Sequence, residues 1–220
     1  MRRDIVTSII GIIVFTVLLG LVYPLVVTGV SQVAFPGNAN GQKVYVNGKL
    51  VGSKIIGQAF VKPVLEKNGK PKEEEGEVLT EPDPSYFQSR PSATEGGAYN
   101  AAASTFSNRG PNDKATEEAD AENIKAYLEL EKPYDPGLTV AGIPVDAVNT
   151  SASNLDPEIS PANARIQAHR VAAKRGLSLG VVDGLVAKYT DARGLGFSGE
   201  PGVNVLELNL ALDRLTGGTH

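Results

Sequence analysis

Two histidines, no cysteine and one glycine-rich string are nearly all this sequence offers for chemistry. His220 is the last residue, so His169, in Gln167-Ala168-His169-Arg170, is the sole candidate base. Arg165, Arg170, Lys174 and Arg175 lie close to it in sequence, and a positive neighbourhood favours the neutral imidazole a general base needs. No Ser or Asp is spaced to complete a triad, so a half-buried polar helix residue is the simpler reading of His169. Gly194-Leu195-Gly196-Phe197-Ser198-Gly199 matches G-x-G-x-x-G, but a dinucleotide site needs a strand before it, a helix starting on it and an acid about 20 residues on. A helical pattern precedes it and the chain stops too soon, which leaves a glycine turn between helices. Neither a phosphate-binding G-x-x-x-x-G-K-[ST] string nor the D-K-T-G-T string of phosphorylated pumps occurs. The acidic run Glu73-Glu74-Glu75 lacks calcium-loop spacing, and zero cysteine removes thiolate chemistry and disulfides. Asn149-Thr150-Ser151 fits a glycosylation sequon, a string short enough to recur by chance.

The elements that must carry these residues begin with an anchor. Ile5 to Gln42 has no charged residue, and 13 of the 19 residues from Ile5 to Tyr23 are Ile, Val, Leu or Phe. Nineteen helical residues reach about 28 Å, close to a hydrocarbon core of about 30 Å. A secretory signal has a shorter apolar region and an earlier cleavage site. Arg2 and Arg3 precede the run and no further Lys or Arg comes before Lys43, so the positive-inside rule puts the N-terminus in the cytoplasm and the rest outside. Residues 1–30 are thus expected to be a cytoplasmic tip and a transmembrane helix, with Tyr23 and Pro24 at the outer interface, where the proline can end or kink it. Thr7 with Gly11, and Thr16 with Gly20, would permit close helix neighbours on two faces.

Beyond the anchor, 31–61 and 85–220 are expected to form one extracytoplasmic α+β domain, with a small β element first and a helix-rich C-terminal half. Of the formal charge of −4, Arg2, Arg3 and Asp4 contribute +1, which leaves −5 outside and no basic footprint for nucleic acid. Asn47-Gly48 between Lys43–Val46 and Lys49–Val51 signals a hairpin, which Ile55 and Ile56 would extend. Residues 62–84, rich in Lys, Glu, Gly and Pro, read as an exposed, mobile charged insertion. Helices are expected over Thr116–Glu131, from Ser160 as N-cap to Arg175 with Gly176 as stop, over Ser178–Tyr189 with Val181, Val182, Leu185 and Val186 inward, and over Val203–Leu215, closed by Gly217-Gly218.

Several strings, in order, carry a resemblance: Tyr23-Pro24-Leu25-Val26-Val27-Thr28-Gly29, Phe35-Pro36-Gly37-Asn38-Ala39-Asn40-Gly41, Gly52-Ser53-Lys54-Ile55-Ile56-Gly57-Gln58, Tyr86-Phe87-Gln88-Ser89-Arg90-Pro91-Ser92, Ser151-Ala152-Ser153-Asn154-Leu155-Asp156, and Val203 to Asp213. Outside 62–84, the chain closely resembles the KdpC family, the C subunits of bacterial high-affinity potassium-transporting Kdp P-type ATPases. The resemblance implies a non-catalytic, single-pass subunit of the bacterial plasma membrane. Its implied partners are a KdpA-like channel subunit, a KdpB-like ATPase subunit, a KdpF-like small subunit and membrane lipid. It also implies an assembly role and a catalytic-chaperone role that raises the ATPase subunit's affinity for ATP. No cofactor would be held firmly, and ATP would be met only through the B subunit. If a nucleotide role is local, Gln167 is the candidate, although an ordinary exposed helix position is the simpler reading. An anionic outer domain could also cap the potassium entrance and modestly concentrate cations. Two other classes stay open on the residues alone: a membrane-anchored hydrolase using His169, and a free-standing binding module.

Overall fold

The computed structural model describes residues 2–74, 76–104, 108–110 and 112–217, so Glu75, Gly218 and His220 lie outside the described residues. The chain divides between Val44 and Tyr45 into two compact units.

The first unit is dominated by one helix of 33 residues, Arg2–Ala34, with a mean hydropathy of 2.8 in its most apolar window and no buried residue there. It is long and apolar enough to cross a membrane. Pro24 does not end it. The proline ring would crowd the carbonyl of Gly20 and supplies no N–H. The backbone answers by widening into one π-turn, Leu18–Val22, between α1 (Arg2–Val17) and α2 (Tyr23–Ala34). Tyr23 N–H reaches back five residues to Leu18 O, as a π-turn requires. The helix therefore runs to Ala34, where Phe35 leaves helical geometry (φ −136°) and Pro36 opens the short α3 (Pro36–Ala39). Gln32 and Asn40 pair their amides across this corner (3.0 and 3.3 Å).

The expected hairpin forms, β1 (Lys43–Val46) with β2 (Lys49–Ser53). Asn47 (φ +51°) and Gly48 (φ +79°) adopt the left-handed pair that a type I′ turn requires. Ile55 and Ile56 do not extend it. Ser53 bridges Ile56 across a tight turn, which leaves Ile55 exposed. The charged 62–84 stretch carries strand pairing: β3 (Val61–Pro63) with β6 (Thr80–Pro82), and β4 (Glu73–Glu74) with β5 (Glu77–Val78), both antiparallel. Its described strand residues are exposed apart from the half-buried Lys62, in keeping with a sequence that shows no apolar alternation. Main-chain bonds such as Val64 N–H to Leu79 O (2.8 Å) join its two sides, and Lys62 pairs with Glu81 across β3 and β6 (3.1 Å).

Helix α4 (Lys114–Glu131) starts two residues before the expected Thr116, because the Asp113 carboxylate accepts from Ala115 N–H and caps it. Helix α5 (Pro161–Arg175) has the expected ends: the Ser160 hydroxyl accepts from Asn163 N–H, and Gly176 turns left-handed (φ +65°). In α6 (Leu179–Lys188), Val182 and Val186 are buried and Leu185 is half-buried, but Val181 faces out at 46 % exposure. At 100° per residue, Val181 falls outside the stripe that Val182 and Val186 share. Val203 is a strand residue, not the first residue of the last helix. It lies in β9 (Gly202–Asn204), the central strand between β7 (Glu158–Ile159) and β8 (Thr190–Asp191). Asn204 is still extended (ψ 111°) and its side chain accepts from Glu207 N–H, so α7 (Val205–Thr216) begins only after it. A Cβ on Gly202 would lie against the Glu158 side chain, which would have to move aside.

The core lies among these helices. Helix α5 packs on α4 and α6, and α6 on α7. Tyr127, Leu138, Ala147 and Val148 form one buried cluster, with Ile124, Leu128, Ile143 and Ile166 against it. Val205, Leu208 and Leu212 are buried along α7 as the stripe requires, with Leu206 and Leu210 beside them.

Candidate functional site

The polar groups of the second unit converge on the segment Pro84–Ser92, which leaves a turn at Pro84–Tyr86. Phe87 and Gln88 are bonded by side-chain amides that imitate a neighbouring strand. Asn209 of α7 accepts from Phe87 N–H and donates to Phe87 O (both 2.9 Å), and Gln167 of α5 accepts from Gln88 N–H (2.7 Å) and donates to Gln88 O (3.0 Å). Arg170, one turn after Gln167, donates to Pro84 O (2.6 Å) and Tyr86 O (2.9 Å). Arg175 donates to Ser85 O (2.6 Å), lies over the Tyr86 ring (4.4 Å) and pairs with Asp213 (2.9 Å). Residues 163, 167 and 170 recur at helical spacing, so α5 turns its polar face into the core to meet this segment.

The far end of the segment is held by the Ser151–Asp156 string. Arg90 pairs with Asp156 (3.1 Å) and donates to the carbonyls of Asn149 and Thr150. Asn154 (φ +58°) accepts from Ala93 N–H through its side chain and from the Ser92 hydroxyl through its carbonyl. The Tyr99 hydroxyl donates to Arg90 O, and burial pushes its pKa up to about 12. Gly57 makes this close approach possible, since a Cβ there would lie 2.6 Å from the Tyr99 ring and 2.7 Å from Asp156 O. Three of the strings that carry the resemblance thus meet at one place.

Beneath the clamp lies a buried ion pair. Arg170 and Glu131, 0 % and 1 % exposed, meet at 2.9 Å, and Glu131 Oε2 has no hydrogen-bond partner. Burial raises the Glu131 pKa despite the nearby guanidinium, and Tyr127 is raised by burial and then by the Glu131 charge. The Tyr127 hydroxyl donates to Asn163 Oδ1 (2.9 Å). A cleft of about 260 Å³ opens beside this network, lined by Gln58, Gln88, Arg90, Tyr99, Glu131 and Gln167 among others. It is slightly smaller than the usual range of roughly 300–1,000 Å³ for small-molecule pockets.

Gln167, the residue proposed for a nucleotide role, is 1 % exposed, which corrects the simpler reading of an exposed helix position. Its oxygen accepts from Gln88 N–H and Arg170, and its nitrogen donates to Gln88 O and Asn163 Oδ1 (2.9 Å). All four of the amide's hydrogen-bonding positions are used within the protein. His169 lies two residues further on and is exposed, not half-buried. Gly194–Gly199 forms a reverse turn between β8 and β9. Among the described residues no group of three or more His, Asp or Glu is placed to hold a metal ion. Ile5, Gly11, Thr16, Gly20, Tyr23 and Pro24 all lie on the long helix, and nothing comes within 4 Å of a Cβ built on Gly11 or Gly20. Sequence reasoning missed Asn209, Arg170 and Arg175. The available signal was a polar residue interrupting a buried apolar pattern, as Asn209 does between Leu208 and Leu210.

Fold and site together define a class: a single long apolar helix joined to an α+β domain organised around one clamped segment. Comparison with known proteins makes the class specific. The chain belongs to the KdpC family, described as "K+-transporting ATPase, c chain", whose pattern matches residues 5–214. It is similar to the potassium-transporting ATPase KdpC subunit of Methylococcus capsulatus, 46% identical over 94% of this chain and 96% of that one. The KdpC subunits of Koribacter versatilis (44%, over 97% of this chain and 95% of that one) and Mycobacterium tuberculosis (44%, over 98% and 100%) are similar to it over comparable lengths.

Proposed function

We propose that this chain is a non-catalytic subunit of an ATP-driven potassium uptake complex, anchored by its first helix, with its α+β domain outside the cytoplasm. The match to the KdpC family across 5–214 carries this reading. The charge asymmetry around the apolar run supports the orientation. Its partners in this reading are the channel-like A subunit, the P-type B subunit and the small F subunit. The chain stabilises their assembly and raises the B subunit's affinity for ATP. Because the hydrogen-bonding capacity of Gln167 is consumed internally, the effect on ATP is indirect. The α+β domain biases the conformation of the subunits it docks on, and they carry the change to the nucleotide site.

Co-purification with the A and B subunits, with and without residues 1–30, tests the assembly. The full chain is expected to co-purify and the truncated one to be lost, and the apparent ATP affinity of the complex is expected to fall when the chain is omitted. Retention of the truncated chain would remove the anchoring part. Protease added to spheroplasts should digest the α+β domain, and its protection would reverse the topology.

A further inference from the structure

The π-turn of the long helix leaves one main-chain acceptor without its helical donor. In a regular helix Leu19 O would accept from Tyr23 N–H, but that N–H goes to Leu18 O instead. The next main-chain nitrogen along belongs to Pro24, which has no hydrogen to give. No side chain among the described residues bonds to Leu19 O. Hydroxyls on a helix reach backward to the carbonyl four residues earlier, as Thr7 does to Arg3 O (2.9 Å), so Thr16 and Thr28 are directed away from Leu19.

The depth of this carbonyl fixes what can meet it. Residues 5–34 of the helix carry no charge, and their midpoint falls between Leu19 and Gly20. A helix centred in the bilayer therefore holds Leu19 O in the middle of the hydrocarbon, where water is excluded, acyl chains offer no donor and an unmet polar group is expensive. A Lys or Arg donor would itself be costly to insert at this depth, so the donor is a neutral side chain. Gly20 beside it leaves room for a close approach, since nothing lies within 4 Å of a Cβ built there. We infer that Leu19 O accepts a hydrogen bond from a Ser, Thr, Asn or Gln side chain on a membrane helix of a neighbouring subunit, which docks at the π-turn. This rests on the anchored-subunit reading above. Pro24 creates the acceptor, and so marks the docking point in the sequence.

Full-length chain labelled with heavy isotopes at leucine carbonyls and glycine nitrogens reports Leu-Gly pairs alone: Leu19-Gly20, Leu179-Gly180 and Leu195-Gly196. In bilayers, by solid-state NMR, the Leu19 signal is the one lost in Leu19→Ile. Adding a complex of the other subunits purified without this chain is expected to move that signal downfield, the direction of hydrogen-bond acceptance. Pro24→Ala supplies the missing N–H. Its Leu19 signal should lie downfield already in the free chain and stay there, and it should bind the complex about 3- to 30-fold more weakly, the equivalent of one interhelical hydrogen bond. An unmoved Leu19 signal in a chain that has bound, or wild-type affinity for Pro24→Ala, would overturn the docking point while the subunit reading stands. A downfield wild-type signal in bilayers lacking the other subunits would name water, lipid or a second copy as the donor and overturn the neighbouring helix. No binding by wild type would overturn the subunit reading and the docking point with it.

Discussion

Replacing Gln167 by leucine separates an architectural role from nucleotide contact. Leucine approximates the volume of glutamine but offers no polar atom. Gln88 N–H and Gln88 O, bonded to Gln167 at 2.7 and 3.0 Å, would be stranded in a site where the replaced residue is 1 % exposed. Each buried backbone group left without a partner costs about 1–3 kcal/mol, so the pair gives roughly 2–6 kcal/mol where water does not reach the half-buried Gln88, before the lost contacts to Asn163 and Arg170 are counted. For a domain of this size 1 kcal/mol is about 2–4 °C in melting temperature. The full-length chain in detergent should therefore melt about 5–20 °C lower, followed by near-ultraviolet circular dichroism. Asn209→Leu strands Phe87 N–H and Phe87 O in the same way and should cost a similar amount, although Asn209 has no proposed link to nucleotide. The two variants should lower the ATP affinity of the assembled complex in proportion to their loss of stability. If Gln167→Leu left the melting temperature unchanged within about 1 °C and still weakened ATP binding, the internal role argued for this amide would be refuted.

Three further perturbations probe other joints of the same structure. Because burial raises the Glu131 pKa above 4.5, its folded form takes up a proton more readily than its unfolded form, so the stability it contributes is fully present below pH 4.5 and lost as pH rises through the folded value. Wild type should gain stability over Glu131→Gln on acidification from neutral pH towards 4.5, in denaturant titrations of the two proteins side by side, and a difference that shrank on acidification would contradict the sign. Gly57→Ala places a methyl group 2.7 Å from the immobile Asp156 carbonyl and against the Tyr99 ring, so it should cost about 1–3 kcal/mol, seen as a lowered denaturation midpoint at unchanged slope. Ser160→Ala removes the cap of α5 and should cost about 1 kcal/mol in the same titration.

Local structure was legible wherever the cause lay within a few residues. The length and hydropathy of the first helix, the Asn47-Gly48 turn and the ends of α5 were read from adjacent residues. That the helix would continue past Pro24 was not legible, because this depends on whether the preceding turn can widen, and residue type alone does not reveal that. The strand at Val203 was missed because three residues are too short for a period, and the pairing with Ile159 that holds it is remote. The clamp was illegible for the same reason on a larger scale: Gln167 meets Gln88 across 79 positions, and Asn209 meets Phe87 across 122. Such contacts leave no periodic trace, only a polar residue where burial would favour an apolar one.

The choice of side-chain amides over a strand partner follows from the segment itself. Pro84 and Pro91 lack an N–H, so a strand laid along Pro84–Ser92 would meet gaps at both ends. Asn209 and Gln167 each serve one residue that has both groups to offer, Phe87 and Gln88, while Arg170 and Arg175 take the carbonyls of Pro84, Ser85 and Tyr86, for which no donor strand is available. Discrete partners on two helices thus do what a continuous ladder could not. They also tie the segment to α5 and α7 at once. A shift of Pro84–Ser92 cannot occur without straining both helices, and α7 is joined through β9 to the turn that carries Leu195 and Phe197. Order in the clamped segment and order in α5 and α7 therefore support one another.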